Sequence, residues 1–303
     1  MRKHTLLSAI LTIVLAAMAA VVPVVAQGQK PTIKVGSTNF GEQLILAEIY
    51  AQILEANGYP VERRLNLGNR EIVAPALESG QIDLYPEYLA TYLTYLTKDA
   101  SLSSTDAGQT HANLRVALAG KNATALDYAL AVDTNGFVVT KATADRLGLD
   151  TVSDLAKGNG QLVLGGPPEC PDRPFCLLGL TGTYGLQFRE FRSLDAGGPI
   201  TVAALEGNQI DVAVLFTTDA VIQARGFVLL RDDRRLQLAD NVVPIIRNEA
   251  LSQAPDEITT LLNRVSAYMT TSELTALNAR VGLDRAEPRE VGATWLRLKG
   301  LIQ

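Results

Sequence analysis

The chain has 303 residues, of which 47% are hydrophobic and 19% are charged. This length and composition indicate a folded globular protein of about two domains, and they exclude a disordered or fibrous chain. The formal net charge of −5, without any basic run, makes the protein a poor candidate for binding nucleic acid or anionic lipid.

The first 26 residues predict an export signal. Arg2 and Lys3 precede an apolar run over residues 6–20, and residues 24–26 (VVA) fit a cleavage site. An uncleaved membrane anchor is the alternative, since the apolar run nearly reaches the ~20 residues that a membrane span needs. The sequence therefore predicts secretion across the cytoplasmic membrane to a periplasmic or cell-surface location.

Two cysteines, Cys170 and Cys176, lie in a proline-rich loop and are separated by five residues. In an exported protein such a pair predicts a local disulfide. A metal or redox pair is the weaker alternative, because the spacing is not C-x-x-C and no histidine is near. Without a His/Cys cluster, neither a metal site nor a cofactor is expected.

The hydrophobic patterns along the chain alternate between those of strands and helices. The first five predicted elements have the order β-α-β-α-β, over residues 32–36, 41–56, 61–65, 69–79 and 82–85. Further strands are predicted over residues 126–132, 136–140, 161–165, 211–216, 227–230 and 242–246. Further helices are predicted over residues 141–147, 199–206, from residue 217, and over residues 255–269, 272–281 and 288–300. This order predicts an α/β fold.

One short sequence occurs twice in the chain. Residues 76–83 read ALESGQID and residues 204–211 read ALEGNQID, with six identities in eight positions. Each copy predicts a helix end, a turn with a left-handed glycine, and entry into a strand. Two such units predict two similarly built lobes, with a ligand cleft where the carboxyl ends of their strands face each other. Chance similarity in a common turn is the alternative.

Catalytic chemistry has little support in the sequence. Once the export signal is set aside, His111 is the one remaining histidine, and its polar surroundings indicate a helix surface. No nucleophile elbow, metalloprotease, P-loop or dinucleotide motif occurs. The sequence thus predicts a protein that is not an enzyme. For a catalytic alternative, His111 and Glu87 are the first residues to test.

Tyrosines are better candidates for a binding site. Tyr85, Tyr88, Tyr92 and Tyr95 lie within eleven residues. We expect Tyr92 and Tyr95 to pack a helix against the sheet, whereas Tyr88 and Tyr128 lie beside acidic residues at element ends. Faces of aromatic rings can hold a quaternary ammonium ion, which donates no strong hydrogen bonds.

Several segments together resemble a known family. They cover residues 35–91 (VGSTNF to YLAT), 126–133 (LDYALAVD), 162–174 (LVLGGPPECPDRP), 181–188 (TGTYGLQF), 208–222 (NQIDVAVLFTTDAVI) and 229–233 (LLRDD). In this order they resemble the glycine betaine/choline/proline betaine-binding proteins of ABC importers, over most of residues 32–247. The final helices are compatible with the resemblance but add little to it.

The resemblance implies a two-lobed, venus-flytrap fold of the type II periplasmic binding proteins. Lobe I is expected to comprise residues 27–133 and 242–303, and lobe II residues 134–241. The ligand implied is a small solute held in an aromatic cage between the lobes. The implied partners are the permease and ATPase subunits of an importer, and the protein is expected to be a monomer.

The resemblance also assigns roles to individual residues. Tyr88 and Tyr128 match two tyrosines of the cage, and Phe216 lies where the family commonly has a third cage tyrosine. Arg173 matches the arginine that contacts the substrate carboxylate. Thr91 matches a threonine that forms hydrogen bonds near the cage.

Other positions depart from the family pattern. Thr38, beside Asn39, replaces a lysine of the family, and both are expected at the site. Asp240 or Asn241 lies where the family has an aromatic residue. A buried aspartate can attract an ammonium group directly. Asp240 would then favour a cation that donates hydrogen bonds, or an alcohol such as choline.

The sequence therefore predicts the extracytoplasmic binding component of an ABC importer for a quaternary ammonium osmolyte such as glycine betaine or choline. Three alternatives remain at this point. They are a solute-sensing receptor domain, a binding protein for another small cationic or amino-acid-like solute, and an enzyme on the same fold.

Overall fold

The computed structural model of the protein describes residues 30–303, so the predicted export signal lies outside the described residues. Among the residues described, no helix combines the length and the apolar character that a membrane span requires. The chain forms two five-stranded mixed sheets that helices cover.

The first sheet contains the early strands of the chain and one late strand. Its members are β1 (Ile33–Gly36), β2 (Val61–Arg64), β3 (Leu84–Tyr88), β4 (Ala123–Ala125) and β10 (Val242–Arg247). Their order across the sheet is β2-β1-β3-β10-β4. Strands β1, β2 and β3 are parallel, and β10 runs antiparallel to both of its neighbours.

The second sheet repeats this arrangement. Its members are β5 (Asn135–Val139), β6 (Val163–Gly166), β7 (Glu190–Ser193), β8 (Val212–Phe216) and β9 (Val228–Leu229). Their order is β7-β6-β8-β5-β9, with three parallel strands followed by antiparallel β5. The prediction of two similarly built units is therefore confirmed.

The repeated octapeptide enters the same position in both sheets. In the first copy, Asp83 accepts a hydrogen bond from the Lys34 amide at 2.9 Å and donates its own amide to the Lys34 carbonyl at 2.7 Å. In the second copy, Asp211 makes the same two bonds with Val163, both at 2.9 Å. Each aspartate thus fixes the start of its strand against the central parallel strand.

The turns that precede these strands differ in one respect from the prediction. The left-handed residue of the first turn is Gly80, with φ of 74°, as expected. In the second turn it is Asn208, with φ of 52°, and not Gly207. Asparagine tolerates this conformation better than most residues with a side chain, so both turns reverse the chain at the same point.

Twelve α-helices lie among the described residues. They are α1 (Gly41–Ala56), α2 (Arg70–Glu78), α3 (Leu89–Thr97), α4 (Ala107–Leu118), α5 (Lys141–Leu147), α6 (Leu177–Tyr184), α7 (Pro199–Glu206), α8 (Val221–Ala224), α9 (Asn248–Leu251), α10 (Pro255–Tyr268), α11 (Thr271–Gly282) and α12 (Pro288–Leu298). Helix α1 is buried along most of its length, because α10, α11 and α12 pack on it in one hydrophobic core with the first sheet. The predicted final helices therefore stabilise the first sheet.

Two segments carry the chain between the sheets. The first precedes β5 and the second precedes β10, and they pair at Val132 and Asn241. The Asp133 amide also donates to the Asp240 carbonyl at 3.1 Å. We propose lobe bounds of residues 27–133 with 242–303 and of residues 134–241; the membership of the strands in the two sheets supports them.

Two element predictions were wrong. The predicted strand over residues 126–132 is irregular, and the true strand β4 lies just before it. Leu126 donates to the Pro244 carbonyl at 3.0 Å, but Pro244 has no N–H to return the bond, so the regular ladder is interrupted there. Separate bonds between Val242 and residues 129 and 131 follow it. The helix predicted from residue 217 begins only at Val221, because the preceding residues bond to the first crossing segment.

Candidate functional site

A cavity of about 630 Å³ lies at the carboxyl ends of the parallel strands of both sheets. Loops at this edge are where open α/β sheets bind ligands. The lining residues follow strands of both sheets or belong to the two crossing segments. They are residues 38–40, 69–71, 133–135, 167–170 and 172–176, together with Tyr88, Thr91, Thr94, Tyr95, Lys98, Ala196, Phe216 and Asp240.

Three aromatic rings form one wall of this cavity. The ring of Phe40 stacks on that of Phe216, with centroids 4.7 Å apart and planes 28° apart. The Phe40 ring also stacks on that of Tyr88, with centroids 6.3 Å apart and planes 21° apart. Phe40 and Tyr88 follow strands of the first sheet, and Phe216 ends β8 of the second. The wall therefore combines rings from both sheets.

A buried carboxylate, Glu42, lies behind this wall. It accepts hydrogen bonds from the Tyr88 hydroxyl, the Thr218 hydroxyl and the Asn278 amide, each at 2.6 Å. No salt bridge reaches Glu42 from any residue of the described chain. Burial raises the pKa of Glu42, although its three hydrogen bonds oppose this effect. Since Thr218 follows β8, Glu42 also joins the two sheets.

A second buried carboxylate, Glu87, has a cationic partner. Arg70, at the start of α2, donates Nε and Nη2 to its two oxygens, both at 2.7 Å. The same Nη2 donates to the Thr91 hydroxyl at 2.9 Å. Glu87 is 1% exposed and the Arg70 side chain 12%. This bidentate pair neutralises the positive charge that Arg70 brings to the cavity wall.

Asp133 brings a carboxylate from the first crossing segment to the cavity. Its Oδ1 accepts from the Thr217 hydroxyl and from the Thr218 amide, both at 3.1 Å. Burial raises the pKa of Asp133 well above its ordinary value, and the charges of Glu42 and Asp219 add to the effect. Burial also raises the pKa of nearby Asp219, to about 7.

Asp240 brings a second carboxylate from the other crossing segment. Its Oδ1 accepts a hydrogen bond from the Thr91 amide at 2.8 Å, so Asp240 caps the first turn of α3. Burial raises the pKa of Asp240 to about 7, against the opposing effects of the Thr91 hydrogen bond and the Arg70 charge. Asp240 therefore carries only part of a negative charge near neutral pH.

The loop after β6 forms the opposite wall. A disulfide joins Cys170 to Cys176, as predicted, and holds this loop closed on itself. Arg173, inside the loop, forms a salt bridge with Glu71 at 2.8 Å. Burial lowers the pKa of Arg173, and the nearby Arg70 charge acts in the same direction. The Nε of Arg173 is buried and has no hydrogen-bond partner.

The cavity continues along one face of α3. Thr91, Thr94, Tyr95 and Lys98 line it at intervals of three and four residues, which place them on one side of the helix. The ammonium of Lys98 lies 4.2 Å from the centre of the Tyr95 ring. At a rise of 1.5 Å per residue this face extends for roughly 10 Å. The cavity is therefore elongated.

Seven of the eight predicted ligand-binding residues line this one cavity. They are Thr38, Asn39, Tyr88, Thr91, Arg173, Phe216 and Asp240. Tyr128 does not: its ring packs edge-on against His111, with centroids 5.2 Å apart. The irregular path of the chain beside β10 carries Tyr128 toward α4 and away from the cavity. The assignment of Tyr128 to the cage is therefore not supported by its position.

Three residues that shape the cavity were missed. Phe40 lies in the GSTNF segment, in which Thr38 and Asn39 were predicted as site residues and Phe40 was not. Arg70 carried no motif signal, because its partner Glu87 is 17 positions away. Asp133 follows a segment that was predicted as a strand. Its acidic character at an element end was the signal that could have identified it.

Within residues 30–303, no group of three or more His, Cys, Asp or Glu side chains is placed to hold a metal ion.

The chain matches the family model for the substrate-binding domain of ABC-type glycine betaine transport systems over residues 31–298. Its relatives include the glycine-betaine-binding protein of Pseudomonas aeruginosa, with 29% identity over 286 residues and 90% of each chain covered. They also include the glycine betaine-binding protein YehZ of Escherichia coli, with 27% identity over 93% of this chain and 95% of that protein.

Solved structures agree with this relationship. A crystal structure of a glycine betaine/carnitine/choline ABC transporter aligns with a TM-score of 0.70 and 27% identity, covering 89% of this chain and 100% of the other. The two-lobed fold expected from the sequence is thereby confirmed. Because the match extends over nearly all of the described chain, this protein belongs to the family of substrate-binding domains of ABC-type glycine betaine transport systems.

Proposed function

We propose that the protein binds a small quaternary ammonium osmolyte, such as glycine betaine or choline, and delivers it to the permease of an ABC importer. The observation that carries this proposal is the wall of three rings, Tyr88, Phe40 and Phe216, at the junction of the two sheets. Aromatic faces stabilise a cation that cannot donate hydrogen bonds. The names of the relatives from P. aeruginosa and E. coli support the ligand class.

The charges around the rings favour a cation. Asp133 and Asp240 reach the same cavity, and Glu42 lies directly behind Tyr88. The arginines of the wall are each matched by a glutamate, so they contribute little net positive charge. An ammonium group in this cavity would therefore meet a negative potential in a medium of low dielectric constant.

Binding by rings of both sheets suits transport. Phe40 and Phe216 belong to opposite sheets and stack on each other, so a cation bound on this wall would contact both sheets. A permease can recognise the closed arrangement, which the ligand stabilises by its preferential binding. We propose that the chain acts as a monomer outside the cytoplasm, without catalysis, and that separate permease and ATPase subunits complete the importer.

Calorimetric titration of the purified protein with glycine betaine, choline, carnitine, proline and putrescine tests this function. We expect micromolar binding of at least one quaternary ammonium compound. Phe216→Leu keeps apolar volume but removes the ring, and should weaken binding by about 3- to 30-fold. Tyr268→Leu is the matched control, since Tyr268 is an exposed aromatic residue outside the cavity. Absence of binding by every quaternary compound would contradict the proposal.

A further inference from the structure

Two aspartates occupy matching places in the two crossing segments. Asp133 precedes β5 and Asp240 precedes β10, and a backbone hydrogen bond of 3.1 Å joins them. Both line the cavity, and their exposed fractions are only 4% and 3%. Carboxylates so deeply buried are rare unless they are paired or have a function.

Each aspartate has well-formed hydrogen bonds to only one of its two carboxylate oxygens. Thr217 and Thr218 donate to Oδ1 of Asp133, and Thr91 donates to Oδ1 of Asp240. Among the described residues, the well-formed hydrogen bonds to the two aspartates all end on Oδ1, although the hydroxyls of Thr218 and Thr91 also lie near these carboxyl groups. Neither Oδ2 is among the fully enclosed atoms that lack a partner, so both reach the surface of the cavity. The cavity therefore offers two carboxylate oxygens to whatever occupies it.

The cations of the wall do not satisfy these oxygens. Arg70 is held by both oxygens of Glu87, and Arg173 forms its salt bridge with Glu71. Lys98 lies over the ring of Tyr95. The acceptors that stay free at Asp133 and Asp240 thus need donors from the ligand.

We infer that the preferred ligand is a small organic cation that carries N–H or O–H donors and has no carboxylate. This inference rests on the proposed function and specifies its ligand class. Burial raises the pKa of both aspartates in the empty cavity, and a bound cation favours their ionised form. A fully methylated betaine has no donor for the two free oxygens, and its own carboxylate would be repelled by the ionised aspartates. An alcohol or a second ammonium in its place satisfies an aspartate with a charge-assisted hydrogen bond.

Three matched pairs of compounds test the inference by calorimetric titration of the wild-type protein. Choline is compared with glycine betaine, ethanolamine with glycine, and putrescine with 4-aminobutyrate. In each pair a donor group is exchanged for a carboxylate, while the ammonium end is unchanged. We expect at least one donor-bearing compound to bind about 10- to 100-fold more tightly than its carboxylate partner.

Asp240→Asn and Asp133→Asn should each reduce this preference about tenfold, since an amide is uncharged and accepts a weaker hydrogen bond. Asp145→Asn is the control: it removes the same charge from an exposed residue that pairs with Lys141 on α5. Thermal unfolding of each variant verifies that it is folded. The titrations of the wild-type protein decide the question even if a variant does not fold.

The outcomes separate the two proposals. If glycine betaine binds as tightly as choline or more tightly, and the other carboxylate compounds behave alike, the inference is overturned while the proposed function stands. That result would indicate that Arg173 leaves Glu71 to bind the ligand carboxylate. If none of the six compounds binds, and carnitine does not bind either, the proposed function fails and the inference fails with it.

Discussion

Glu87 and Glu42 lie on either side of the same strand end, and both are almost fully buried, yet their surroundings differ in kind. Glu87 is 1% exposed and holds Arg70 through two hydrogen bonds of 2.7 Å. Glu42 is 4% exposed and is held by Tyr88, Thr218 and Asn278, which are all neutral. One carboxylate is compensated by a charge and the other only by dipoles.

This difference separates stability from binding. A buried pair such as Arg70 and Glu87 contributes little net charge, but losing one member leaves the other uncompensated. Glu42 has no counter-charge among the described residues, so burial raises its pKa. When it is ionised, it places a negative potential behind the aromatic wall. We therefore expect Glu87 to contribute mainly to stability, and we propose that Glu42 contributes to the potential that a bound cation meets.

Replacing glutamate by glutamine should destabilise the protein far more at Glu87 than at a glutamate whose charge is not needed in the interior. Glu87→Gln leaves the charge of Arg70 buried without its partner, and should lower the free energy of unfolding by about 3–5 kcal/mol. Urea unfolding measures the loss. Glu62→Gln is the control, because Glu62 pairs with Arg64 at the surface and should contribute less than about 1 kcal/mol. Equal losses at the two positions would contradict the comparison.

The pH dependence of stability should reveal the carboxylates that lack cations. Burial raises the pKa of Asp219 and of Asp240 to about 7, against about 3.9 in the unfolded chain. A raised pKa contributes stability that is complete below the unfolded value and is lost as the pH rises through 7. The free energy of unfolding should fall by roughly 1.4 kcal/mol per group between pH 6 and 8.

Urea unfolding at pH 6, 7 and 8 tests this dependence. The raised pKa values of Glu42 and Asp133 act in the same direction. Burial lowers the pKa of His111, which opposes the trend only near pH 6. Asp219→Asn and Asp240→Asn should each flatten the profile. A stability that increases toward pH 8 would refute the assignment.

Removing both members of the Arg70–Glu87 ion pair should lower the free energy of unfolding by less than the sum of the two single losses. Arg70→Met combined with Glu87→Gln leaves neither charge unpaired. The double variant should retain about 2 kcal/mol more stability than the sum of the two single losses predicts. A double-mutant cycle by urea unfolding measures this coupling energy. Strict additivity would show that the two side chains do not compensate each other.

Glu42→Gln should have the smallest effect on stability, below about 1 kcal/mol at pH 7. The amide is neutral and of the same shape, and the hydroxyls of Tyr88 and Thr218 can reverse their roles. The Oδ1 atom of Asn278 is buried without a partner, so a flipped Asn278 amide can accept from the new side chain. Thermal unfolding of the Glu42→Gln and Glu87→Gln variants under the same conditions compares the two losses directly. A loss for Glu42→Gln as large as that for Glu87→Gln would contradict the prediction.

Much of the fold followed from local patterns. The bounds of α1, α5 and α7 agree with their predicted ranges, because apolar spacing and capping residues act within a few positions. The repeated octapeptide correctly indicated two equivalent sheets, since Asp83 and Asp211 make the same backbone contacts. The strand predicted over residues 126–132 failed because its pairing depended on Pro244, which is far away in the sequence.

The candidate site was predicted less completely. Most of the selected residues line the cavity, since the resemblance placed them at strand ends. Tyr128 lies outside the cavity and Phe40 was missed, because ring positions depend on how two sheets meet. Arg70 was missed because its role comes from a glutamate on a different element.

By itself the sequence determined most of the α/β elements, the two similar halves, the disulfide loop and the family, since each depends on short segments or on their order. Only the tertiary structure decided which carboxylates carry a counter-charge. Glu42, Asp133 and Asp240 are ordinary acidic residues in the sequence, and burial without a salt bridge in the described chain distinguishes them from Glu87. Compensation of charge depends on distances of a few ångströms between remote segments, and such distances exist only once the two sheets have packed.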